Sequence, residues 1–342
     1  MTDAPSSPHR PRTVLAMAPE VRDALFDDEN LTLLTRIADT DPALTVTDFH
    51  DPVAADALAA AEALFTGWGC PPLDTAALEL MPRLRTVVHA AGSVKHHITD
   101  ACWERGITVA SAAGANAVPV AEYTVAMILL SGKGVLPAAA AYRTGRTWIS
   151  PIEAIGRGGN YRRTVGVVGA SRIGRRVIEL LRPYDLRVLL YDPYVDAAEA
   201  GALGVRPVDL DTLARSSDVV SLHAPELPAT RLLFDARRLA LMPDGATLVN
   251  TARGSLVDTD ALTAELLDGR LNAVLDVTEP EVLPASSPLY ELPNVLLTPH
   301  VAGSLGNELT RMARAAVDEL ARYAAGLPFA DPVRPDALAR SA

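Results

Sequence analysis

Over most of its length the chain alternates short β-branched runs with longer stretches rich in alanine and leucine, a pattern compatible with few architectures. The strand candidates of a first group are TVLAMA (13–18), LTVTDF (44–49), ALFTG (63–67), RTVVHA (85–90) and ITVASA (107–112). A second group comprises TVGVVGA (164–170), RVLLYDP (187–193), DVVSLHA (218–224), ATLVNTA (246–252), NAVLDVT (272–278) and NVLLTPH (294–300). Helical stretches such as AADALAAAE, IGRRVIELLR and TDALTAELLDG fall between them. Strands separated by helices pair in parallel and bury both sheet faces, so the pattern predicts an α/β fold. Two groups in 342 residues predict two such domains, at roughly 150 residues each. A long apolar helix after residue 118 lies between them, and Gly158, Gly159 and Asn160 mark a break before the second group. Residues 331–342 read as a loose, proline-containing tail.

Composition narrows the function. With 49% hydrophobic and 21% charged residues the chain is neither disordered nor fibrous. A net charge of −11 argues against a general nucleic-acid binder, which presents a basic face. Cys70 and Cys102 cannot staple a chain of this length and show no zinc-type spacing, so no metal is expected. The opening MTDAPSSPHRPRT lacks the apolar segment of a signal peptide. The most apolar window, VPVAEYTVAMILL, is interrupted by Glu122 and is too short to span a bilayer. The expectation is a soluble cytoplasmic protein.

The sharpest local signal is Gly166-Val-Val-Gly169-Ala-Ser171-Arg172-Ile173-Gly174, which leaves a strand and enters a helix. In a GxGxxG turn the first glycine makes the turn, the second admits a pyrophosphate and the third lets helix and strand pack. Here those positions are Gly169, Ser171 and Gly174. Asp192 closes the next strand 18 residues after Gly174, where a carboxylate accepts the adenosine ribose hydroxyls and repels a 2′-phosphate. Strand, glycine turn, helix, strand and acid predict a Rossmann-type dinucleotide site that takes NAD rather than NADP.

Other strand ends also carry polar groups: His223-Ala224-Pro225, Thr251-Ala252-Arg253, Asp276 and Thr298-Pro299-His300. Open α/β sheets bind ligands at this edge. Arg253 offers a planar fork for a carboxylate, and His300 has the reference pKa of about 6.5 that proton transfer at an alcohol requires.

The segments VGVVGASRIG, HAPELPAT, LMPDGATLVNTARGSLVD, AVLDVTEPEVLP and LPNVLLTPHVAGS occur in this order, preceded by AAGANAVPVAEYT. In order and spacing they resemble the D-isomer-specific 2-hydroxyacid dehydrogenase family from about residue 45 to 325. The resemblance implies a flavodoxin-like substrate domain over 1–112, completed by 299–342, and an NAD-binding domain over 113–298, with the active site between them. It implies that Arg253 holds the substrate carboxylate, that His300 is the acid/base and that Glu281 is its partner. Asp276 is expected near the nicotinamide carboxamide. Val120, Gly169, Ser171, Arg172, Ile173, Gly174, Asp192, His223, Ala224 and Pro225 are expected at the cofactor, with Thr230, Thr251, Ala252, His300 and Gly303. Homodimers are usual among such relatives, so helix 118–132 and the segment around Trp148 are expected near an interface.

Departures from the family pattern concern the substrate. Thr278 and Val282 stand where an aromatic residue and a proline are usual. The glycine-rich loop whose amides face the substrate carboxylate is Ala91-Gly92-Ser93, and Lys95 replaces the usual acid. His89, His96 and His97 add expected positive character. Hydroxypyruvate, glyoxylate or a phosphoglycerate-like acid all fit the common head group. The alternative reading is an NAD(H)-binding regulatory or corepressor-like protein on the same scaffold. Such a protein would keep the glycine turn and Asp192 but need not keep Arg253, Glu281 and His300. A formate dehydrogenase-like activity is disfavoured because those relatives pair the histidine with glutamine.

Overall fold

A computed structural model describes residues 9–150, 152 and 158–338; positions 1–8 of the opening segment and 339–342 of the expected tail lie outside the described residues. The chain divides into two compact units, one holding the described residues up to Asn116 and from Ser304 onward, the other Ala117–Gly303.

The first unit has a five-stranded sheet built from β1 (Thr13–Ala16), β2 (Ala63–Thr66), β3 (Thr86–His89), β4 (Thr108–Ser111) and β12 (Pro332–Val333), in that spatial order. The first four pair in parallel, and β12 joins β4 antiparallel. A single parallel bridge from Leu15 to Thr45 adds a vestige of a further strand beside β1, which gives the flavodoxin-like order. Successive strand residues point to opposite faces. Val14, Leu64, Val87 and Val109 therefore enter one core, while Leu15, Phe65, Val88 and Ala110 enter another beneath the helix Leu309–Ala324.

The second unit has seven parallel strands: β5 (Thr164–Val168), β6 (Arg187–Tyr191), β7 (Arg206–Pro207), β8 (Val219–Leu222), β9 (Thr247–Asn250), β10 (Asn272–Leu275) and β11 (Val295–Leu297). Their order is β11-β10-β9-β8-β5-β6-β7, so the chain reverses direction across the sheet between β5 and β8. That switch point is where doubly wound sheets place a nucleotide. Alternation again feeds two cores, with Val168, Val220 and Leu248 on one face and Val167, Val219 and Val249 on the other.

Six helices start at an aspartate cap: Asp27, Asp74, Asp196, Asp209, Asp235 and Asp258. Each carboxylate accepts an orphan N–H of the first turn, so part of the acidic surplus is structural.

Three expectations are corrected. The run at 44–49 does not continue as a strand past Thr45, because Asp48 and Asp51 capture the N–H groups of His50 and Val53 and turn the chain. The expected loose tail is ordered through Leu338. Buried Glu319 accepts the N–H groups of Ala330 and Asp331 and delivers Pro332–Val333 to the open edge of β4, where a proline is tolerated. Finally, the apolar helix runs over Ala113–Gly132, 20 residues, and by length and composition is enough to cross a membrane. Its Ala121, Val125 and Ile128 are buried in the core of the second unit.

Candidate active site

The glycine turn is built by close approach. Gly169 follows β5 with φ +96°, and a Cβ there would lie 2.8 Å from the Ala224 nitrogen and 2.9 Å from the His223 carbonyl oxygen. A Cβ on Gly174 would collide with the Gly169 carbonyl. Ser171 sits between them at φ −61°, a conformation that needs no glycine, and its hydroxyl caps the helix Arg172–Leu181 by accepting the Gly174 N–H at 3.3 Å. The serine thus replaces glycine at the cost of side-chain volume and supplies a cap in return. Asp192, just past β6, accepts the Ala170 N–H at 2.6 Å and the Tyr194 N–H at 2.8 Å. Its carboxylate is fixed beside the turn. A cradle that Cβ atoms would fill, a helix N-terminus and an adjacent acid fit a dinucleotide.

Several strand-end side chains prove to be engaged by the protein's own polar groups. His223 is buried with Nε2 2.8 Å from the Ser221 hydroxyl, and burial lowers its pKa to about 3. Its imidazole is neutral and bonded to Ser221, while its backbone and Cβ border the turn. The Thr230 hydroxyl donates to the Pro225 carbonyl at 2.6 Å and accepts the Leu227 N–H at 2.9 Å, closing the loop after β8. Thr251 and Thr124 share a buried hydroxyl contact of 2.9 Å, and Thr124 also reaches the Val120 carbonyl.

Arg253 sits just beyond β9. Asn250 clamps this turn, donating to the Arg253 carbonyl at 2.9 Å and accepting the Ala252 N–H at 3.1 Å. The Arg253 guanidinium donates to the Ala252 carbonyl at 2.6 Å. Sequence reasoning missed Asn250; its one signal is an amide at the end of an otherwise apolar strand.

The loop after β11 carries His300 at φ +55°, a left-handed conformation unusual for a residue with a Cβ. Asp276, 2% exposed, explains how it is held. Its carbonyl accepts the His300 N–H at 2.9 Å, while its carboxylate accepts Thr298 Oγ1 at 2.6 Å, Val301 N at 2.8 Å and Ala302 N at 2.9 Å. Tyr123, also missed, touches Thr298 Oγ1 at 3.0 Å. His300 Nδ1 then meets Glu281 Oε1 at 2.8 Å, with both side chains more than half exposed. Glu281 is placed by Thr278, whose hydroxyl donates to the Pro280 carbonyl at 2.8 Å. Gly254 packs so tightly under this loop that a Cβ would strike the Thr278 carbonyl. The second unit therefore brings His300 and Glu281 together and holds Arg253 in a clamped turn.

In the first unit Ala91 is buried and Gly92 and Ser93 are half-buried after β3. Ser93 Oγ accepts the Lys95 N–H at 3.4 Å, and Asn116 Oδ1 accepts the Ser304 N–H at 2.8 Å. The positive character expected of His89 and His97 is not found. Both are buried, and desolvation drives the pKa of His89 well down and that of His97 to about 4. His96 is exposed. Among the described residues no group of three His, Cys, Asp or Glu side chains could hold a metal.

Residues 125–302 match the model of the D-isomer specific 2-hydroxyacid dehydrogenase NAD-binding domain. The chain belongs to the D-isomer-specific 2-hydroxyacid dehydrogenase family. It is 33% identical over 258 residues to a glyoxylate reductase of Korarchaeum cryptofilum, covering 75% of this chain and 77% of that one. It is also 32% identical over 265 residues to a D-3-phosphoglycerate dehydrogenase of Archaeoglobus fulgidus, covering 76% of this chain. This family member spans about half the length of that relative, 49%. Among solved structures, the apo D-mandelate dehydrogenase of Rhodotorula graminis superposes with a TM-score of 0.80 at 27% identity, covering 95% of this chain and 98% of that one.

Proposed function

We propose that this dehydrogenase-family protein interconverts a D-2-hydroxy acid and its 2-oxo acid with NAD. The observation that carries the reading is the His300–Glu281 pair at 2.8 Å on a loop anchored by Asp276. Nδ1 is engaged by the carboxylate, which leaves Nε2 for a substrate proton and fixes the tautomer. In oxidation, neutral His300 accepts the hydroxyl proton and Glu281 stabilises the imidazolium that forms. In reduction, protonated His300 returns it to the developing alkoxide. Arg253 holds the substrate carboxylate through its planar fork, and the amides of Ala91, Gly92 and Ser93 are assigned to the same carboxylate. The nicotinamide, when bound, supplies the hydride chemistry.

Asp192 supports NAD over NADP, because a carboxylate held beside the turn would face the extra phosphate. His223, Thr230 and Thr251 contribute to the cofactor site through backbone geometry.

The deciding experiment is a panel of 2-oxo acids, including glyoxylate, hydroxypyruvate and a phosphorylated acid, followed by NADH and NADPH absorbance. Turnover of at least one with NADH, giving the D product, is expected. Cofactor binding without turnover of any would replace the enzyme reading with a regulatory one.

The same reading includes a homodimer in the cytoplasm. The helix Val135–Gly145 has no buried residue, and Leu130, Val135, Tyr142 and Trp148 are exposed around it. Both cysteines are free, as a reducing compartment keeps them. Light scattering should report twice the 36.2 kDa chain mass; a monomer would remove the dimer from the proposal.

A further inference from the structure

A buried polar cluster lies at the end of the first sheet and has no part in the chemistry above. Thr66 and His89 close β2 and β3 and are paired in register. His97 joins them from the segment after the Ala91–Ser93 loop. The three residues are 0%, 3% and 2% exposed. The Thr66 hydroxyl is 2.9 Å from His89 Nδ1 and 3.3 Å from His97 Nε2, and the imidazole centroids are 4.4 Å apart.

The Thr66 hydroxyl thus joins the residues on either side of the Ala91–Ser93 loop, His89 before it and His97 after it. This His89–Thr66–His97 relay is a buried polar network held to the end of β2. The neighbouring strand β1 ends in Ala16 at the same level, so an apolar strand end is compatible with this sheet. What the polar set adds is a grip on both ends of the Ala91–Ser93 loop.

We propose that His89 is a positioning residue for the substrate: through this relay it fixes the loop Ala91–Ser93 and, with it, the amides that receive the substrate carboxylate. The inference rests on the 2-oxo acid reading above. Small displacements of a positioning group are costly in enzymes, which is why the effect should appear in substrate binding.

The test compares His89→Leu, Thr66→Val and His89→Gln with the parent enzyme. The readouts are KM and kcat for the best 2-oxo acid, the Kd of the unreactive analogue oxamate in the presence of NADH, the Kd of NADH and the Tm. His89→Leu should raise KM and the oxamate Kd roughly tenfold, with kcat within about threefold and NADH affinity unchanged. Thr66→Val, nearly isosteric, should move the same two constants in the same direction, and carries the test if His89→Leu does not fold. His89→Gln retains a polar group that can bond Thr66 and should recover most of the loss. An active parent whose variants lose Tm but keep KM and the oxamate Kd overturns the positioning role and leaves the dehydrogenase reading intact. A parent inactive on every 2-oxo acid overturns both.

Discussion

Asp276 and His300 are tied together twice: the His300 N–H donates to the Asp276 carbonyl at 2.9 Å, and the Asp276 carboxylate accepts the N–H groups of Val301 and Ala302 that follow the histidine. A side chain expected to meet the cofactor is also the anchor of the acid/base loop. With Thr298 it receives three donors in all. Asp276→Asn offers one acceptor oxygen in their place and turns an NH₂ toward N–H donors. Its unfolding free energy should fall by about 1–3 kcal/mol, and kcat by roughly tenfold through a displaced His300. Urea denaturation and steady-state kinetics check both; an unchanged variant would show that the anchor is dispensable.

Removing the imidazole tests the proton transfer directly. His300→Ala should lower kcat by roughly 10²–10⁴-fold while NADH affinity changes little, since the glycine turn and Asp192 stay in place. Glu281→Gln keeps the contact and withdraws the charge opposite the imidazolium formed in oxidation, so kcat should fall by roughly tenfold with NADH affinity unchanged. A His300→Ala variant with nearly full kcat, chemistry being rate-limiting, would make the histidine structural.

Gly254 couples the arginine turn to the glutamate loop. Gly254→Ala forces a methyl against the Thr278 carbonyl and within 2.5 Å of the Glu279 nitrogen, both backbone atoms with little room to move. Stability should drop by about 1–3 kcal/mol, as for other overpacked sites, and kcat/KM should fall with it. Wild-type kinetics in a folded Gly254→Ala protein would uncouple the two loops.

Acid stability follows from three buried neutral histidines. In the unfolded chain His97 and His223 titrate near 6.5, whereas in the fold they do so near 4 and 3, and His89 is lowered in the same sense. The stability linked to them is complete above pH 6.5 and is lost as pH falls toward the folded values. At pH 5 His97 and His223 should each have lost about 2 kcal/mol relative to pH 8, with His89 adding a loss in the same direction. Denaturation midpoints across this range read the loss, and a flat profile would contradict the buried neutral state.

Much of this is legible in the sequence. Apolar strands flanked by helices and turn residues identify themselves by composition, and the glycine turn with Asp192 marks the nucleotide edge. The runs at 44–49 and 331–342 misled because local composition does not reveal that Asp48 and Asp51 fold back on their own backbone, or that Glu319 recruits Pro332 to a sheet edge. His300 and Glu281 were visible as residue types, but their contact depends on Asp276 and Gly254, whose roles are set by distances between loops 19 or more residues apart. His89 and His97 looked cationic because sequence carries no burial.

The return of the helix Leu309–Ala324 and of β12 to the first unit imposes an order on biosynthesis. Leu15, Phe65 and Val88 emerge early, but Met312, Ala316, Val317 and Leu320, which cover that face, come after the whole of Ala117–Gly303. At about 5–20 residues per second, the early half-domain waits on the order of ten to forty seconds with its apolar face exposed on the ribosome. The contiguous nucleotide unit can complete first, and the nascent chain in that interval is the species most in need of a chaperone.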